Sequence, residues 1–144
     1  MKLRQALLAL AASSGLILTA SAASAANQAF AILAGGFETQ AADNDGFGSA
    51  TILFVTNRKI CYAVLVEKIA NPTAMHIHPG PPGEANPAVV TLIAPNTGDP
   101  GRVAGCVGNL DAALVRDIRE NPTSYYINIH NDDFPLGAVR GQLF

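Results

Sequence analysis

The sequence predicts an all-β fold, an antiparallel Greek-key sandwich or barrel of about seven or eight strands with one short helix. Short runs rich in β-branched and aromatic residues alternate with clusters of Gly, Pro, Asn and Asp, the pattern typical of antiparallel sheets. Only one stretch has helical periodicity. The strand candidates are Ala29–Phe37, Gly48–Thr56, Cys61–Ile69, Thr73–His78, Ala88–Ile93, Tyr125–His130 and Ala138–Leu143.

The segments between these strands have the composition of turns and loops. Asp43–Gly46 and Asn57-Arg58 combine residues that tolerate tight hairpin turns. His78–Pro87 contains four prolines and two glycines, so it is predicted to be a loop.

The single predicted helix lies between the fifth and sixth strand candidates. Its apolar residues at helical spacing are Leu110, Leu114, Val115 and Ile118. Asn109 is the predicted N-cap, and Asp111 complements the positive end of the helix dipole. Asn121-Pro122 is the predicted end.

Residues 1–25 have the composition of a secretory signal peptide. Lys2 and Arg4 precede an apolar stretch, and Ala23-Ser24-Ala25 matches a small-residue cleavage site. The apolar stretch is too short to span a bilayer, so we expect a secreted or periplasmic domain comprising residues 26–144. That domain carries 7 basic and 11 acidic residues, a formal charge of −4, which argues against nucleic acid as a partner.

Cys61 and Cys106 are the two cysteines of the chain. An even number of cysteines in an exported protein favours a disulfide, which would stabilise the fold by roughly 2 to 4 kcal/mol. The alternative is that one of them is a metal ligand or nucleophile.

All three histidines lie at the ends of two predicted strands. Alternation places His76 and His78 on one face and turns Met75 and Ile77 to the other. On the second strand Tyr126, Asn128 and His130 share a face. If the aliphatic residues face the core, the imidazoles lie on the outer surface of the sheet.

These imidazoles are candidate metal ligands. A His-x-His pair holds its two Cα atoms roughly 6 to 7 Å apart, from which both rings can reach one ion, and His130 would complete the set. Three neutral nitrogen donors suit copper, zinc or nickel, and the Irving–Williams order favours copper over zinc. The alternative is that the pair occurs in a strand by chance and that His130 is an ordinary surface residue.

Other polar residues near these strand ends could support the site. Arg140 would share the outer face with His130, where it could guide an anion to a metal or make a salt bridge or backbone hydrogen bonds. Tyr126 and Asn128 could orient a ligand from the second shell. Asp132 and Asp133 fit a turn better than a metal site.

Several motifs together resemble the CHRD domain, first described in chordin. They are His76-Ile77-His78-Pro79-Gly80, Pro87-Ala88-Val89-Val90, Tyr126-Ile127-Asn128-Ile129-His130-Asn131 and Arg140-Gly141-Gln142-Leu143. The resemblance covers roughly Phe30 to Phe144 and implies an extracytoplasmic β-sandwich module. Where the family usually has Glu-Val-Pro-Pro, this chain has Glu38-Thr39-Gln40-Ala41.

A looser resemblance is to the copper half of copper/zinc superoxide dismutases, and the predicted sandwich is either immunoglobulin-like or superoxide-dismutase-like. It implies that His76, His78 and His130 are copper ligands and that Arg140 is the anion guide. The chain has no further histidine for a bridged zinc or a four-histidine copper site.

The resulting functional hypothesis is extracytoplasmic copper binding, with about one ion per chain, for storage, delivery or redox chemistry. One alternative is a metal-free interaction module with a protein partner or a second copy of the chain. The other is a copper enzyme acting on superoxide or another small oxidant.

Overall fold

The computed structural model describes residues 27–144, so the predicted signal peptide lies outside the described residues. In this part of the chain, eight antiparallel strands form one sheet that curls into a nearly closed barrel, with one α-helix, which confirms the predicted all-β class. The strands are β1 (Gln28–Ala34), β2 (Phe47–Thr56), β3 (Lys59–Glu67), β4 (Pro72–Pro79), β5 (Val90–Leu92), β6 (Gly101–Val107), β7 (Tyr125–Asn131) and β8 (Val139–Gln142), and the helix is α1 (Ala112–Glu120).

The strand order across the sheet is β5-β4-β7-β8-β1-β2-β3-β6. β1, β2 and β3 form consecutive hairpins, with Asn57 and Arg58 at the predicted turn between β2 and β3. The connections from β3 to β4 and from β6 to β7 cross to the other half of the sheet. As a result β4 and β7, which carry the histidines, lie side by side although they are far apart in sequence.

The core lies inside the curled sheet and is filled by alternate residues of the strands. Met75, Ile77, Ile127 and Ile129 are fully buried there, as strand alternation predicts. Because these residues point inward, their neighbours on β4 and β7 must point outward, which is how the core positions the histidines.

Strand β6 is absent from the sequence prediction. Its sequence contains Gly101 and Gly105 and few β-branched residues, so its propensity for strand is weak. It forms because β3 supplies a full antiparallel partner along its length, with Cys61 directly opposite Cys106. Their sulfurs are at disulfide distance, and neither cysteine belongs to the cluster of histidines.

Several predicted boundaries were wrong by a few residues. The first strand ends at Ala34 rather than Phe37, because Gly35–Phe37 form a 3-10 turn. The third ends at Glu67, before Lys68 at a φ of +56°, and the fifth covers only Val90–Leu92.

The predicted N-cap of the helix was also wrong. The cap is Asp111, whose carboxylate accepts hydrogen bonds from the backbone N–H groups of Ala113 at 2.6 Å and Leu114 at 3.2 Å. Asn109 instead adopts a left-handed conformation, with a φ of +58°. The helix ends at Glu120 with Asn121 as its C-cap, which agrees with the end predicted at Asn121-Pro122.

Replacing Asp111 by alanine should lower the free energy of unfolding by about 1 kcal/mol, because it leaves helical N–H groups without a partner. Urea denaturation of the variant and the parent measures this. Asn109→Gly is the matched control, since glycine accepts the left-handed conformation and should change little. A larger loss for Asn109→Gly than for Asp111→Ala would contradict the capping assignment.

Among the described residues, no helix is both long and apolar enough to cross a membrane.

Candidate metal centre

The three histidines come together on the outer face of the sheet. In the register of β4 and β7, His76 is opposite Asn128, His78 is opposite Tyr126 and Ala74 is opposite His130. Each histidine is therefore one strand position away from a buried aliphatic residue, and the core fixes the direction of all three side chains.

The imidazoles converge closely enough to share one ion. One nitrogen from each of His76, His78 and His130 lies within 4.8 Å of the other two. The closest pair is Nδ1 of His76 and Nε2 of His130, which are 3.2 Å apart. The three histidines could therefore hold a metal ion.

Backbone carbonyls determine which nitrogen faces the cluster in two of the rings. Nδ1 of His78 donates to the carbonyl of Asn86 at 2.6 Å, and Nδ1 of His130 donates to the carbonyl of Pro135 at 3.0 Å. A carbonyl only accepts, so each Nδ1 carries the proton and each Nε2 keeps its lone pair. Outer hydrogen bonds of this kind orient metal-binding histidines.

The Nε2 atom of His78 is the polar atom of the cluster that most needs a partner. Its Nε2 is buried and has no hydrogen-bond partner among the described residues. Buried polar atoms without a partner are uncommon and call for an explanation, such as an ion. A cation between the three rings would supply the missing partner.

The protonation states of the histidines also suit a metal. Burial lowers the pKa of His76, His78 and His130 below the ordinary value, although the hydrogen bonds to Asn86 and Pro135 oppose this in the latter two. All three rings are therefore neutral near pH 7, which is the form that binds metal.

Tyr126 and Arg140 form a stack behind His78. The ring of Tyr126 lies parallel to that of His78, with 4.8 Å between centroids and 6° between planes. The guanidinium of Arg140 lies 3.3 Å from the centre of the Tyr126 ring on its other side. Tyr126 thus packs between His78 and Arg140, and the second-shell role expected for it stays a prediction.

Arg140 is only 2% exposed and braces the loop that follows β4. Its guanidinium donates to the backbone carbonyls of Pro81, at 3.1 Å, and Glu84. Tyr126 also holds this loop, because its hydroxyl accepts a hydrogen bond from the N–H of Asn86 at 3.2 Å. These contacts correspond to the backbone hydrogen bonds considered for Arg140 from sequence; its role as an anion guide stays a prediction.

Asn128 connects the cluster to a residue that sequence reasoning did not select, Glu38. Asn128 is 3% exposed, and its Nδ2 donates to Oε1 of Glu38 at 2.5 Å. Burial raises the pKa of Glu38 to about 7, against the opposing effects of Arg140, Asn128 and the backbone of Thr39. The signal in the sequence was the glutamate of the Glu38-Thr39-Gln40-Ala41 segment, which follows the first strand and faces this site.

Gly137 makes room for this hydrogen bond. It has a φ of +144°, and a Cβ atom there would lie 2.4 Å from Glu38 Oε1 and 2.5 Å from Asn128 Nδ2. Only glycine both adopts this positive φ readily and avoids a clash of a Cβ atom with the two neighbouring side chains.

The two aspartates of the following turn, Asp132 and Asp133, are exposed and do not belong to the group of converging ligand atoms.

A cavity of about 120 Å³ opens beside the cluster, and Glu38, His78, Asn128 and His130 are among the residues that line it. Space of this size accommodates a few water molecules or a comparably small ligand.

Comparison with known proteins identifies the family to which these motifs belong. The model of the CHRD domain matches residues 29–143, which is nearly the whole of the described chain. No curated protein matches the sequence.

Proposed function

The chain belongs to the CHRD-domain family, and from this premise we propose that it is an extracytoplasmic copper-binding protein. His76, His78 and His130 hold one ion, for copper storage, delivery or redox chemistry. The observation that carries the proposal is the convergence of three neutral imidazoles around the buried, unpartnered Nε2 of His78.

Copper is chosen over zinc on the chemistry of the donors. The cluster contains three nitrogens and no thiolate or carboxylate among the described residues, because both cysteines form the pair at disulfide distance and both turn aspartates lie outside the cluster. For such a donor set Cu(II) binds more tightly than the other divalent first-row ions, including zinc.

An extracytoplasmic location is part of the same proposal. CHRD domains are extracellular modules, and the cysteine pair at disulfide distance is typical of an oxidising compartment. The decisive experiment is elemental analysis and intact-mass measurement of protein isolated from its native compartment. We expect one copper per chain and an N-terminus near Ala26; protein that contains no copper and takes none up in an anaerobic titration would refute the proposal.

Copper affinity should depend on pH in a way set by the histidines. Because burial lowers the pKa of all three, protons should compete with the metal only below pH 6.5, the value for an ordinary histidine. Below that point affinity should fall by up to about tenfold per pH unit for each histidine that protonates. Competition titrations from pH 8 to pH 4 measure the profile, and a decline that begins above pH 7 would contradict it.

A metal-free interaction module is the second candidate. In its favour, Phe30, Ile32, Phe37 and Phe144 are exposed large apolar side chains, and apolar surface of this kind can mark a docking site.

A copper enzyme acting on superoxide is the third candidate, and it would need the small cavity beside the histidines to admit the oxidant. Metal uptake without turnover supports the binding protein, and turnover above free-copper controls supports the enzyme. The absence of both metal uptake and turnover supports the interaction module.

A further inference from the structure

A second and larger cavity lies on the outer face of the sheet, next to the metal centre but outside the histidine cluster. Its volume is about 540 Å³, within the range of roughly 300 to 1,000 Å³ that small-molecule sites occupy. The loop after β4 forms one side of it through Pro82 and Gly83. The opposite side is formed by β1 and the 3-10 turn that follows.

The walls of this cavity are apolar and exposed. Ile32, Phe37 and Phe144 line it and are 62%, 56% and 59% exposed. Ile32 points outward between Ala31 and Leu33, so it takes no part in the core. An apolar patch concentrated around a concave surface distinguishes a binding site from isolated exposed residues.

The floor of the cavity is polar and carries a cation. Arg140 and Gln142, which alternate outward on β8, line it together with Glu38. The hydrogen bonds of the Arg140 guanidinium go to backbone carbonyls, so they do not neutralise its charge. Burial raises the pKa of Glu38 to about 7, so near neutral pH this carboxyl offsets only part of that charge. A buried charge acts strongly on its surroundings because little water screens it.

We propose that this cavity binds a small amphiphile, with an aromatic or aliphatic body between Ile32, Phe37 and Phe144 and a single anionic head group directed toward Arg140. Small-molecule sites usually combine apolar walls with a few convergent polar groups. The positive charge of Arg140 on the floor favours an anionic head group. The lining of this cavity includes no imidazole, so the proposal does not rest on copper binding, although the cavity shares Glu38 and Arg140 with the smaller one beside the histidines.

Two fluorescent probes with the same aromatic skeleton test the head group. Anilinonaphthalene sulfonate carries one negative charge, and phenylnaphthylamine lacks it. With full-length mature protein free of metal, we expect the sulfonate to bind once per chain and at least about tenfold more tightly than the neutral probe, a difference of about 1.4 kcal/mol. Equal affinity for the two probes, or several equivalent sulfonates per chain, would overturn the proposal.

Substitutions test the location. Ile32→Ala and Phe37→Ala should each weaken sulfonate binding several-fold, since both side chains are exposed and neither supports the core. Ile93→Ala is the matched control, because Ile93 is 70% exposed and follows β5 at the edge of the sheet, away from the cavity. An equal loss in the control would mean general surface adsorption and would overturn the proposal. Arg140 is left unchanged because it also braces the loop.

Discussion

Replacing His78 by alanine should lower the affinity for Cu(II) by well over 100-fold. Loss of an outer-shell partner typically lowers metal affinity by about 10- to 100-fold. His78 is proposed as a direct ligand, and its Nε2 has no hydrogen-bond partner within residues 27–144. Isothermal titration or competition with a chelator of known affinity measures the change, and paramagnetic resonance of the Cu(II) form shows the loss of a nitrogen ligand. His76→Ala and His130→Ala should behave similarly.

The fold should survive these substitutions, because the three rings point away from the core. Asp132→Ala and Asp133→Ala are the controls; both residues are exposed polar side chains at the same end of β7, and their loss should leave copper affinity nearly unchanged. If the triple histidine variant bound copper as tightly as the parent, the ligand assignment would be wrong. The interaction module would then be the better account of these strands.

Removing the disulfide should have the largest effect on stability. Cys61 and Cys106 are 45 residues apart, and a link across a loop of this length stabilises the fold by about 4 kcal/mol through the entropy of the unfolded chain. The double variant Cys61→Ala/Cys106→Ala should therefore unfold at a much lower urea concentration. Both side chains are at least partly exposed, so cavity formation contributes little.

The control for this experiment is the parent protein unfolded in the presence of a reductant, which removes the link without changing any residue. The two measurements should agree. Copper affinity should change little in the double variant at temperatures where it remains folded, because neither cysteine belongs to the group of converging ligand atoms. Unchanged urea midpoints in both measurements would show that no disulfide forms.

The sequence was sufficient to predict that the histidines point outward from the core. Alternation along β4 and β7 is set by Ile77, Ile127 and Ile129, which must be buried, and this determines the outward direction of His76 and His130. The convergence additionally required that the two strands be neighbours, which the metal-site hypothesis assumed and the register of β4 and β7 shows.

Other parts of the structure leave little trace in the sequence. The carbonyls of Asn86 and Pro135 orient two imidazoles, but every residue has a carbonyl, so no side chain indicates this role. Strand β6 depends on its partner β3 rather than on its own glycine-containing sequence. For the helix cap, Asn109 and Asp111 are both favourable residue types, and only the backbone conformation distinguishes them.

The pairing of β4 with β7 has a consequence for folding. It joins His76 and His78 to His130, more than fifty residues later, so the complete ligand set exists only after a long segment of chain has closed into the sheet. The unfolded chain keeps only the local His-x-His pair and should bind an ion far more weakly. An ion held by all three rings would therefore shift the folding equilibrium toward the native state, and the unfolding temperature would rise with the concentration of free metal.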